Sequence, residues 1–218
     1  PDSVTQTVTD KLSRTTRYTI TSGRIVGVSW PANGSGTPTR SFGYTSGKVS
    51  IVTNGTAQWG YAYSTVGTTL TTTTTDPNGL HSTYVSNTST SRLTSVTDHL
   101  GHTTSYLWDS LGRQTRATLP EGNYTELTYD GRGNVTQVLN VPKSGSGLSN
   151  TTQTAAFETP NCTNPRICNQ PTSTTDARGF RTDYTYVATH GGVLTVTQPG
   201  ATGIAPVGTS TRPQTRYG

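Results

Sequence analysis

A degenerate repeat of 21 residues constrains this chain more than any other feature of its sequence. The segment 106–113, Tyr-Leu-Trp-Asp-Ser-Leu-Gly-Arg, returns in register as 127–134, Leu-Thr-Tyr-Asp-Gly-Arg-Gly-Asn. Each unit contains an aromatic strand, a turn closed by Gly, a Thr-rich strand and a second turn. Such a unit cannot bury an apolar face by itself. The repeat therefore predicts a fold stabilised by stacking of neighbouring units rather than by one compact core.

The composition is that of an ordered β protein with little apolar material. Only 28% of the 218 residues are hydrophobic and only 12% are charged, so the chain fits neither an ordinary globular domain nor a highly charged disordered segment. Thr is the commonest residue, and it favours half-exposed strands, whereas Gly and Asn favour turns. Apolar residues at helical spacing do not persist for three turns. We therefore predict an all-β fold of stacked hairpins.

The charge pattern disfavours nucleic-acid binding. The net charge is +5, but the 16 Lys and Arg residues are scattered singly, whereas a nucleic-acid interface usually needs a clustered basic stripe. No apolar stretch approaches the roughly 20 residues of a membrane-spanning helix, and no secretory signal is evident. The chain lacks an initiator Met and its last residues resemble the start of a strand, so we expect a piece of a longer polypeptide.

Breaks in the period predict four segments. Residues 1–43 should form N-terminal strands of degenerate repeats, with a long hairpin loop over 31–38. Residues 44–140 hold the clearest repeat array. Residues 141–172 interrupt the period as a loop insertion, and repeats resume over 173–218.

Alternation along each strand predicts which side chains share a face of the sheet. Tyr106 and Trp108 should lie on one face of their strand and Leu107 on the other. On the return strand before it, Leu93 and Ser95 should share a face. Both faces should therefore carry some apolar groups, as in a sheet that lines a partly filled interior.

Aromatic, acidic, glycine and arginine residues recur at equivalent positions of the repeat. These landmark residues are Tyr61, Tyr63, Tyr84, Tyr106, Trp108, Asp109, Gly112, Arg113, Gly122, Tyr129, Asp130, Gly133, Gly179, Tyr184 and Tyr186. Residues 61–63, Tyr-Ala-Tyr, match the aromatic strand end of the unit. The aromatic side chains, with Trp30 and Trp59, are interpreted as a packing ladder between neighbouring strands. A sugar-binding surface is the alternative, because aromatic rings also stack on the apolar faces of sugars.

No residue cluster identifies a reaction. Ser35 and Ser146 lie in Gly-Ser-Gly loops with no helix after them, so neither forms a nucleophile elbow. Asp109 and Asp130 could in principle act as an acid pair, but their equivalent places in the repeat favour a turn-capping role. We therefore predict that the chain is not an enzyme and that it binds no cofactor.

The strongest candidate metal ligands are His99 and His102, which lie close to Asp98. Imidazole and carboxylate groups are suitable ligands. However, the repeat places these residues at a turn, where polar residues are common, and no further converging ligand is evident. The turn is the favoured interpretation, and no metal site is predicted.

The repeat resembles the YD repeat of the bacterial Rhs (rearrangement hot spot) proteins. The shared pattern is Tyr-x-Tyr/Trp-Asp-x-x-Gly-Arg/Asn-x-Thr, followed by Pro-x-Gly-x-x-Thr/Tyr. Residues 108–113 and 129–134 match it best, and residues 76–79 and 176–179 match the intervening turn. Related repeats occur in insecticidal toxin-complex components and in animal teneurins.

The resemblance covers residues 44–140 and 170–200, and it implies a long β-sheet that spirals into a hollow shell. In toxin members the shell encloses a C-terminal toxin, and in teneurins a similar barrel lies outside the cell and takes part in adhesion. By this resemblance, the chain is expected to be a structural segment of an exported bacterial protein. Its shell would encapsulate or display another polypeptide, outside the cell or at the cell surface.

Two other functions remain open at this point. The chain could be a surface adhesin or glycan-binding module, or it could be a subunit of an extracellular filament. The partners implied are the rest of its own polypeptide or neighbouring copies, joined through strand edges, and also an enclosed effector or glycans.

The chain departs from the family pattern at several positions of the repeat. Tyr63 is followed by Ser64, and Tyr186 is followed by Val187, where the family has Asp. The segment 76–80, Asp-Pro-Asn-Gly-Leu, resembles only part of the motif that ends the family's core. The self-cleavage associated with that motif is therefore not assigned here.

The two cysteines, Cys162 and Cys168, lie in the loop insertion. They could form a local disulfide or remain a reduced pair, and a zinc site is disfavoured because no second Cys/His pair accompanies them. The resemblance to exported proteins favours the disulfide, since such bonds persist in oxidising compartments.

Overall fold

A computed structural model of the chain describes residues 2–30, 39–158, 162–200 and 212–217. The described residues form eighteen β-strands joined by turns and loops, with no helix among them. It follows that these parts of the chain contain no helix that is long and apolar enough to cross a membrane. The all-β fold class predicted from the sequence is confirmed.

The chain divides into two compact units, residues 1–103 and 104–218. The strands of the first unit are β1 (Ser3–Thr9), β2 (Thr15–Thr21), β3 (Arg24–Ser29), β4 (Arg40–Thr45), β5 (Lys48–Asn54), β6 (Ala57–Val66), β7 (Thr69–Thr75), β8 (His81–Asn87) and β9 (Arg92–Thr97). The strands of the second unit are β10 (Thr103–Trp108), β11 (Gln114–Thr118), β12 (Tyr124–Tyr129), β13 (Val135–Val141), β14 (Thr151–Ala156), β15 (Ser173–Thr175), β16 (Arg181–Tyr186), β17 (Val193–Thr197) and β18 (Gln214–Arg216). The four-segment division stays a prediction.

Within each unit, every strand pairs antiparallel with the next strand along the chain. For example, Thr72 on β7 lies opposite Tyr63 on β6 and opposite Tyr84 on β8. The predicted stacking of hairpins is therefore confirmed. In such a meander, each hairpin is stabilised mainly by its nearest neighbours.

One turn type closes hairpins throughout the chain. At the turn 109–113, the Asp109 N–H donates to the Arg113 carbonyl at 2.9 Å and the Gly112 N–H donates to the Asp109 carbonyl at 3.0 Å. Gly112 has a φ of 78°, in the left-handed region that favours glycine in three-residue hairpin loops. The same backbone closure occurs at turns that begin at Asp10, Asp76, Asp98, Leu119, Asp130 and Asp176. The two turns of each repeat, which differ in sequence, thus share one structure.

The strand register shifts by one residue in six hairpins, β2–β3, β4–β5, β8–β9, β10–β11, β12–β13 and β16–β17. The residues passed over in three of them, Thr94, Thr115 and Thr136, are 21 positions apart. The hydroxyls of Thr94 and Thr136 donate to the carbonyls of Val85 and Thr128 at 3.0 and 3.2 Å. These shifts are β-bulges, which bend a strand and increase its twist.

The bulge at Thr94 contradicts one prediction about the faces of the sheet. Leu93 lies opposite Ser86 and Ser95 lies opposite Val85, which are consecutive residues of β8. Leu93 and Ser95 therefore lie on opposite faces, and the prediction that they share one is wrong. The extra residue at the bulge changes the phase of the alternation.

The side chains of β10 alternate as predicted. Tyr106 and Trp108 are half-buried, whereas Leu107 between them is 56% exposed. Apolar burial is thin elsewhere too, because Val28 and Cys168 are the only apolar residues of the described ranges that are buried. Each unit is therefore a single-layered sheet with both faces partly open.

The expectation that residues 61–63 end a strand is wrong. Strand β6 continues to Val66, and Val66 pairs with Thr69 across a tight turn that contains Gly67. This hairpin keeps its register to the last pair, so it lacks the bulge seen in the hairpins with a Trp or Tyr at the end of the strand. The predicted hairpin loop at 31–38 lies outside the described residues.

Two long connections break the period in the second unit. Residues 142–150 join β13 to β14, and residues 157–172 join β14 to β15. Gly122 and Gly179 close equivalent turns but are 57 residues apart, which is 15 more than two periods of 21. The additional residues lie mainly in these two connections rather than in the strands.

Candidate functional site

The most specific side-chain arrangement in the second unit surrounds Tyr129. Its hydroxyl donates to the Gln114 carbonyl at 2.7 Å, and the Arg113 guanidinium lies 4.6 Å from the centre of its ring. Arg113 also donates to the Asp109 carboxylate at 2.6 Å and to the Asp130 carbonyl at 2.9 Å. Arg113 therefore connects the turn of one repeat to the strand end of the next.

The same arrangement occurs twice in the first unit. The Tyr63 hydroxyl donates to the Val49 carbonyl at 2.8 Å while Lys48 Nζ lies 4.9 Å from its ring centre. In a third copy, the Tyr44 hydroxyl donates to the Ile25 carbonyl at 2.7 Å, with the neighbouring Arg24 guanidinium 5.7 Å from the ring centre. In each copy the cation directly precedes the residue whose carbonyl accepts the hydrogen bond. We call this arrangement the tyrosine–cation clasp.

Each clasp ties a tyrosine in the second half of one strand to the start of the preceding strand. A tyrosine hydrogen bond to a backbone carbonyl contributes about 1 kcal/mol net, and a partly exposed cation–π contact contributes roughly 0.5–1 kcal/mol. The cation and the hydroxyl act on the same ring, which fixes its position. Repetition of this contact along a sheet would hold successive hairpins in register.

A related contact is found at Tyr186, which ends β16, but no cation of the described residues lies over its ring. Its hydroxyl donates to the Pro171 carbonyl at 2.7 Å, and burial raises the pKa of the hydroxyl, with a smaller contribution from Tyr184. Tyr184 lies opposite Val196, and its hydroxyl is 3.2 Å from that of Thr174.

The predicted turn residues lie at equivalent places. Asp109 Oδ1 accepts hydrogen bonds from the N–H groups of Leu111 and Arg113, and Asp130 Oδ1 accepts them from Arg132 and Asn134. The glycines that close these two turns and the turns that begin at Leu119 and Asp176 have positive φ angles: 78° at Gly112, 93° at Gly133, 86° at Gly122 and 85° at Gly179.

Hydrogen bonding makes the two turn carboxyls more acidic. The Arg113 N–H lowers the pKa of Asp109 most, desolvation opposes it, and the Arg113 guanidinium lowers the pKa further. At Asp130, desolvation is the largest single effect and raises the pKa. Hydrogen bonds from Asn134 and Arg132 outweigh it, and the net pKa is lowered. Both carboxylates are therefore held in the charged form by donors of their own turns.

The remaining aromatic landmarks lie at paired positions of neighbouring strands. Trp108 ends β10 opposite Gln114, in the hairpin position that Tyr129 has in β12, and each is preceded by a register shift. Tyr106 lies opposite Ala117, and Tyr61 lies opposite Thr74. The interpretation of these residues as a packing ladder stays a prediction.

The histidines near Asp98 lie at a turn. His102 Nδ1 is 3.1 Å from Asp98 Oδ2, and both side chains are exposed. No group of three or more His, Cys, Asp or Glu side chains converges in the part of the chain that the structure describes.

The loop insertion contains a disulfide between Cys162 and Cys168, whose Cα atoms are 5.1 Å apart. The side chain of Arg132 donates to the Cys168 carbonyl at 3.3 Å. On the other side, Asn164 donates to the Ala188 carbonyl at 2.8 Å. The loop therefore contacts the turn on each side of it.

Sequence reasoning missed the cations of the clasps other than Arg113. A local signal was present, because Arg24, Lys48 and Arg113 each follow a glycine with positive φ. The Thr-Ser-Gly-Arg and Thr-Ser-Gly-Lys segments of the first unit are almost identical. The tyrosine hydroxyl contacts have no such local signal, since each spans 14–19 residues.

A known protein family matches the part of the chain that contains Arg113 and Tyr129. The RHS Repeat family model matches residues 89–124 and 108–142, which include the clasp of the second unit. No curated protein matches the sequence.

Among solved structures, the chain is similar to that described as TcdB2-TccC3-TEV, at 15% sequence identity and a TM-score of 0.50. The match covers 85% of this chain and 12% of the other. TcdB2-TccC3 without its hypervariable C-terminal region gives a TM-score of 0.39 at 11% identity, covering 87% and 13%. TcdB2-TccC3-Cdc42 gives 0.36 at the same identity and coverage. The chain thus spans about an eighth of the length of these structures.

The first of these matches shows a shared fold. Together with the repeat model, it supports the resemblance on which the shell-type architecture was predicted. Residues 89–142 of the chain match the RHS Repeat family model, and the chain shares its fold with part of TcdB2-TccC3-TEV.

Proposed function

We propose that the chain is a wall segment of a hollow β-shell in an exported bacterial protein, and that the complete shell encloses another polypeptide. The single-layered meander carries this proposal. Its hairpins repeat the same turns and clasps, and only Val28 and Cys168 among the described apolar residues are buried. A layer of this kind has two faces available to other surfaces, as a wall requires.

The two faces of the second unit differ in chemistry. Leu127 lies opposite Val138, and Trp108, Tyr106 and Tyr129 share their face by alternation. The other face carries an ion pair in which Arg116 donates to Glu126 at 3.0 Å, with Tyr124 4.1 Å from the guanidinium. We assign the apolar face to the side that contacts the enclosed polypeptide, because apolar surface needs a partner to leave water.

Limited proteolysis of the full-length polypeptide that contains this chain tests enclosure. A segment inside the shell should resist protease under native conditions and be cut once the wall unfolds. Substituting valine at Gly112 and Gly133 should open the wall and abolish this protection, since valine does not tolerate a positive φ. The matched control is Gly131→Ala, which meets no neighbouring atom and whose φ is not positive. Equal cleavage of all segments in the native and unfolded polypeptide would reject enclosure.

A glycan-binding role is a second candidate, supported by exposed aromatic rings in the first unit. Tyr63 and Tyr84 are 37% and 38% exposed and share a face, since both lie opposite Thr72. Rings placed in this way can stack on sugars. A glycan array should then give a binder that is lost in Tyr84→Ala but kept in Tyr106→Ala. An array with no binder would argue against this role.

A further inference from the structure

The connection between β14 and β15 contacts the turns on both sides of it. We call the described residues of this connection, 157–158 and 162–172, the cysteine loop. Because consecutive strands alternate in direction, this loop and the turns 130–134 and 187–192 all lie on the same side of the second unit, where the strands end. The loop is thus the middle one of three successive connections on that side.

Three side-chain contacts join the loop to the turn 130–134. Arg132 donates to the Glu158 carbonyl at 2.5 Å and to the Cys168 carbonyl at 3.3 Å. Asn134 donates to the Asn169 side chain at 3.2 Å and to Asp130 of its own turn at 2.8 Å. The loop therefore provides acceptors that the turn cannot supply by itself.

The contacts with the turn 187–192 are equally close. Asn164 donates to the Ala188 carbonyl at 2.8 Å, and Gln170 donates to the Gly191 carbonyl at 2.7 Å. A Cβ atom at Gly191 would lie 2.6 Å from the Arg166 carbonyl oxygen, so the two backbones approach each other directly. The loop and this turn fit only while the loop keeps its shape.

The shape of the loop depends on a short ring closed by the disulfide. Within that ring, the N–H groups of Ile167 and Cys168 both donate to the Asn164 carbonyl, at 3.0 and 2.9 Å. Cys168 is almost fully buried, whereas Cys162 is exposed and open to a soluble thiol. A cross-link that closes a short loop removes conformations that the open chain would otherwise populate.

We propose that the cysteine loop is a redox-sensitive clamp that holds the turns 130–134 and 187–192 in place, and that reduction of its disulfide releases them. With a dithiol such as dithiothreitol, the Sγ–Sγ bond breaks and each sulfur gains a hydrogen. The dithiol is oxidised to its cyclic disulfide. The contacts of Asn164 and Gln170 are then lost, because the freed segment no longer holds its turn.

Trypsin provides a direct test, since the bond between Arg166 and Ile167 lies inside the ring. Pretreatment of the folded chain with dithiothreitol should speed cleavage at this bond by at least about tenfold, because the ring no longer restricts the loop. Samples are quenched in acid and fully reduced before mass analysis, so that fragments linked by the disulfide are counted. The exposed bond after Arg178, at the opposite edge of the unit, is the internal control and should be cut at an unchanged rate.

Cys162→Ser/Cys168→Ser should show the fast rate without reductant, and unchanged cleavage on reduction of the wild-type chain would overturn the clamp. Hydrogen exchange of the folded wild-type chain is the second measurement, and it does not depend on the variant folding. Reduction should speed exchange in the turn 187–192 but not in the turn 109–113. Equal acceleration in both turns would show general loosening and would also reject a local clamp.

Discussion

The turns 109–113 and 119–123 have the same backbone but different first residues. In both turns, the N–H of the first residue donates to the carbonyl of the fifth residue, at 2.9 Å in the first turn and 2.8 Å in the second. The N–H of the glycine donates to the carbonyl of the first residue, at 3.0 and 2.9 Å. Gly112 and Gly122 have φ angles of 78° and 86°. However, the Asp109 carboxylate also accepts two hydrogen bonds from backbone N–H groups of its turn and one from the Arg113 side chain, whereas Leu119 has no side-chain acceptor.

This difference separates what the turn requires from what adds to it. The glycine and the strand register form the turn at both places, and Pro120 helps to preset the second one. The aspartate adds hydrogen bonds to a turn that forms without it. The structural repeat is therefore a strand and a turn of 10 or 11 residues, and the 21-residue period of the sequence contains two of them.

The largest effect is expected from replacing the glycine of either turn. Gly112→Ala and Gly122→Ala should each lower the free energy of unfolding by about 1–2 kcal/mol, because alanine is strained in the left-handed region. Gly131→Ala, at a position without positive φ, is the matched control and should be nearly neutral. Urea unfolding gives all three values. If either turn tolerated alanine as well as position 131 does, the two turns would not share a requirement.

The next effect concerns the clasp that adjoins the turn 109–113. Tyr129→Phe removes the hydroxyl that bonds to Gln114 and should cost about 1 kcal/mol in the free energy of unfolding. Tyr106→Phe is the control, since its hydroxyl has no hydrogen-bond partner in the described ranges. A similar loss in both variants would show that the hydroxyl contact contributes little.

A smaller effect should follow when the first residue of the turn 119–123 is made like that of the other turn. Leu119→Asp should raise the free energy of unfolding by about 0.5 kcal/mol, because the new carboxylate can accept the N–H groups of residues 121 and 123. The reciprocal variant, Asp109→Leu, should lower it. Urea unfolding that found Leu119→Asp destabilising at neutral pH would contradict this interpretation of the turns.

The smallest effect is the dependence of the aspartate contribution on pH. The pKa values of Asp10, Asp109 and Asp176 are lowered from 3.8, above all by the N–H four residues later. Protonation therefore occurs more readily in the unfolded chain, so this stabilisation is present above pH 3.8 and is lost as pH falls through the lower folded values. The gap in melting temperature between the wild type and Asp109→Leu should shrink as the pH is lowered from about 6 to about 2. A constant gap would show that the carboxylate charge is not involved.

The repeat could be predicted from the sequence because its turns depend on local chemistry. Asp109 and Gly112 determine their turn within five residues, and the same spacing at Asp130 and Gly133 identifies the next one. The alternation of Tyr106, Leu107 and Trp108 followed from strand geometry in the same way.

Features that depend on a neighbouring strand could not be predicted. The bulge at Thr94 has no local signal, because threonine occurs throughout the chain. Because of this bulge, Leu93 and Ser95 lie on opposite faces of the sheet rather than on one. Likewise, the continuation of β6 to Val66 depends on pairing with β7 rather than on residues 61–63 themselves. The clasp contacts of Tyr129 join strands, so the aromatic residue could be recognised but not its acceptor.

The central claim, that successive hairpins are structurally equivalent, can be tested by NMR of the intact chain. Cross-strand nuclear Overhauser contacts should link Tyr106 with Ala117 and Leu127 with Val138, two pairs displaced by one 21-residue repeat. The account predicts both pairs, with matching contacts from Trp108 and Tyr129 to the strands that follow them. Observation of one pair without the other would contradict it.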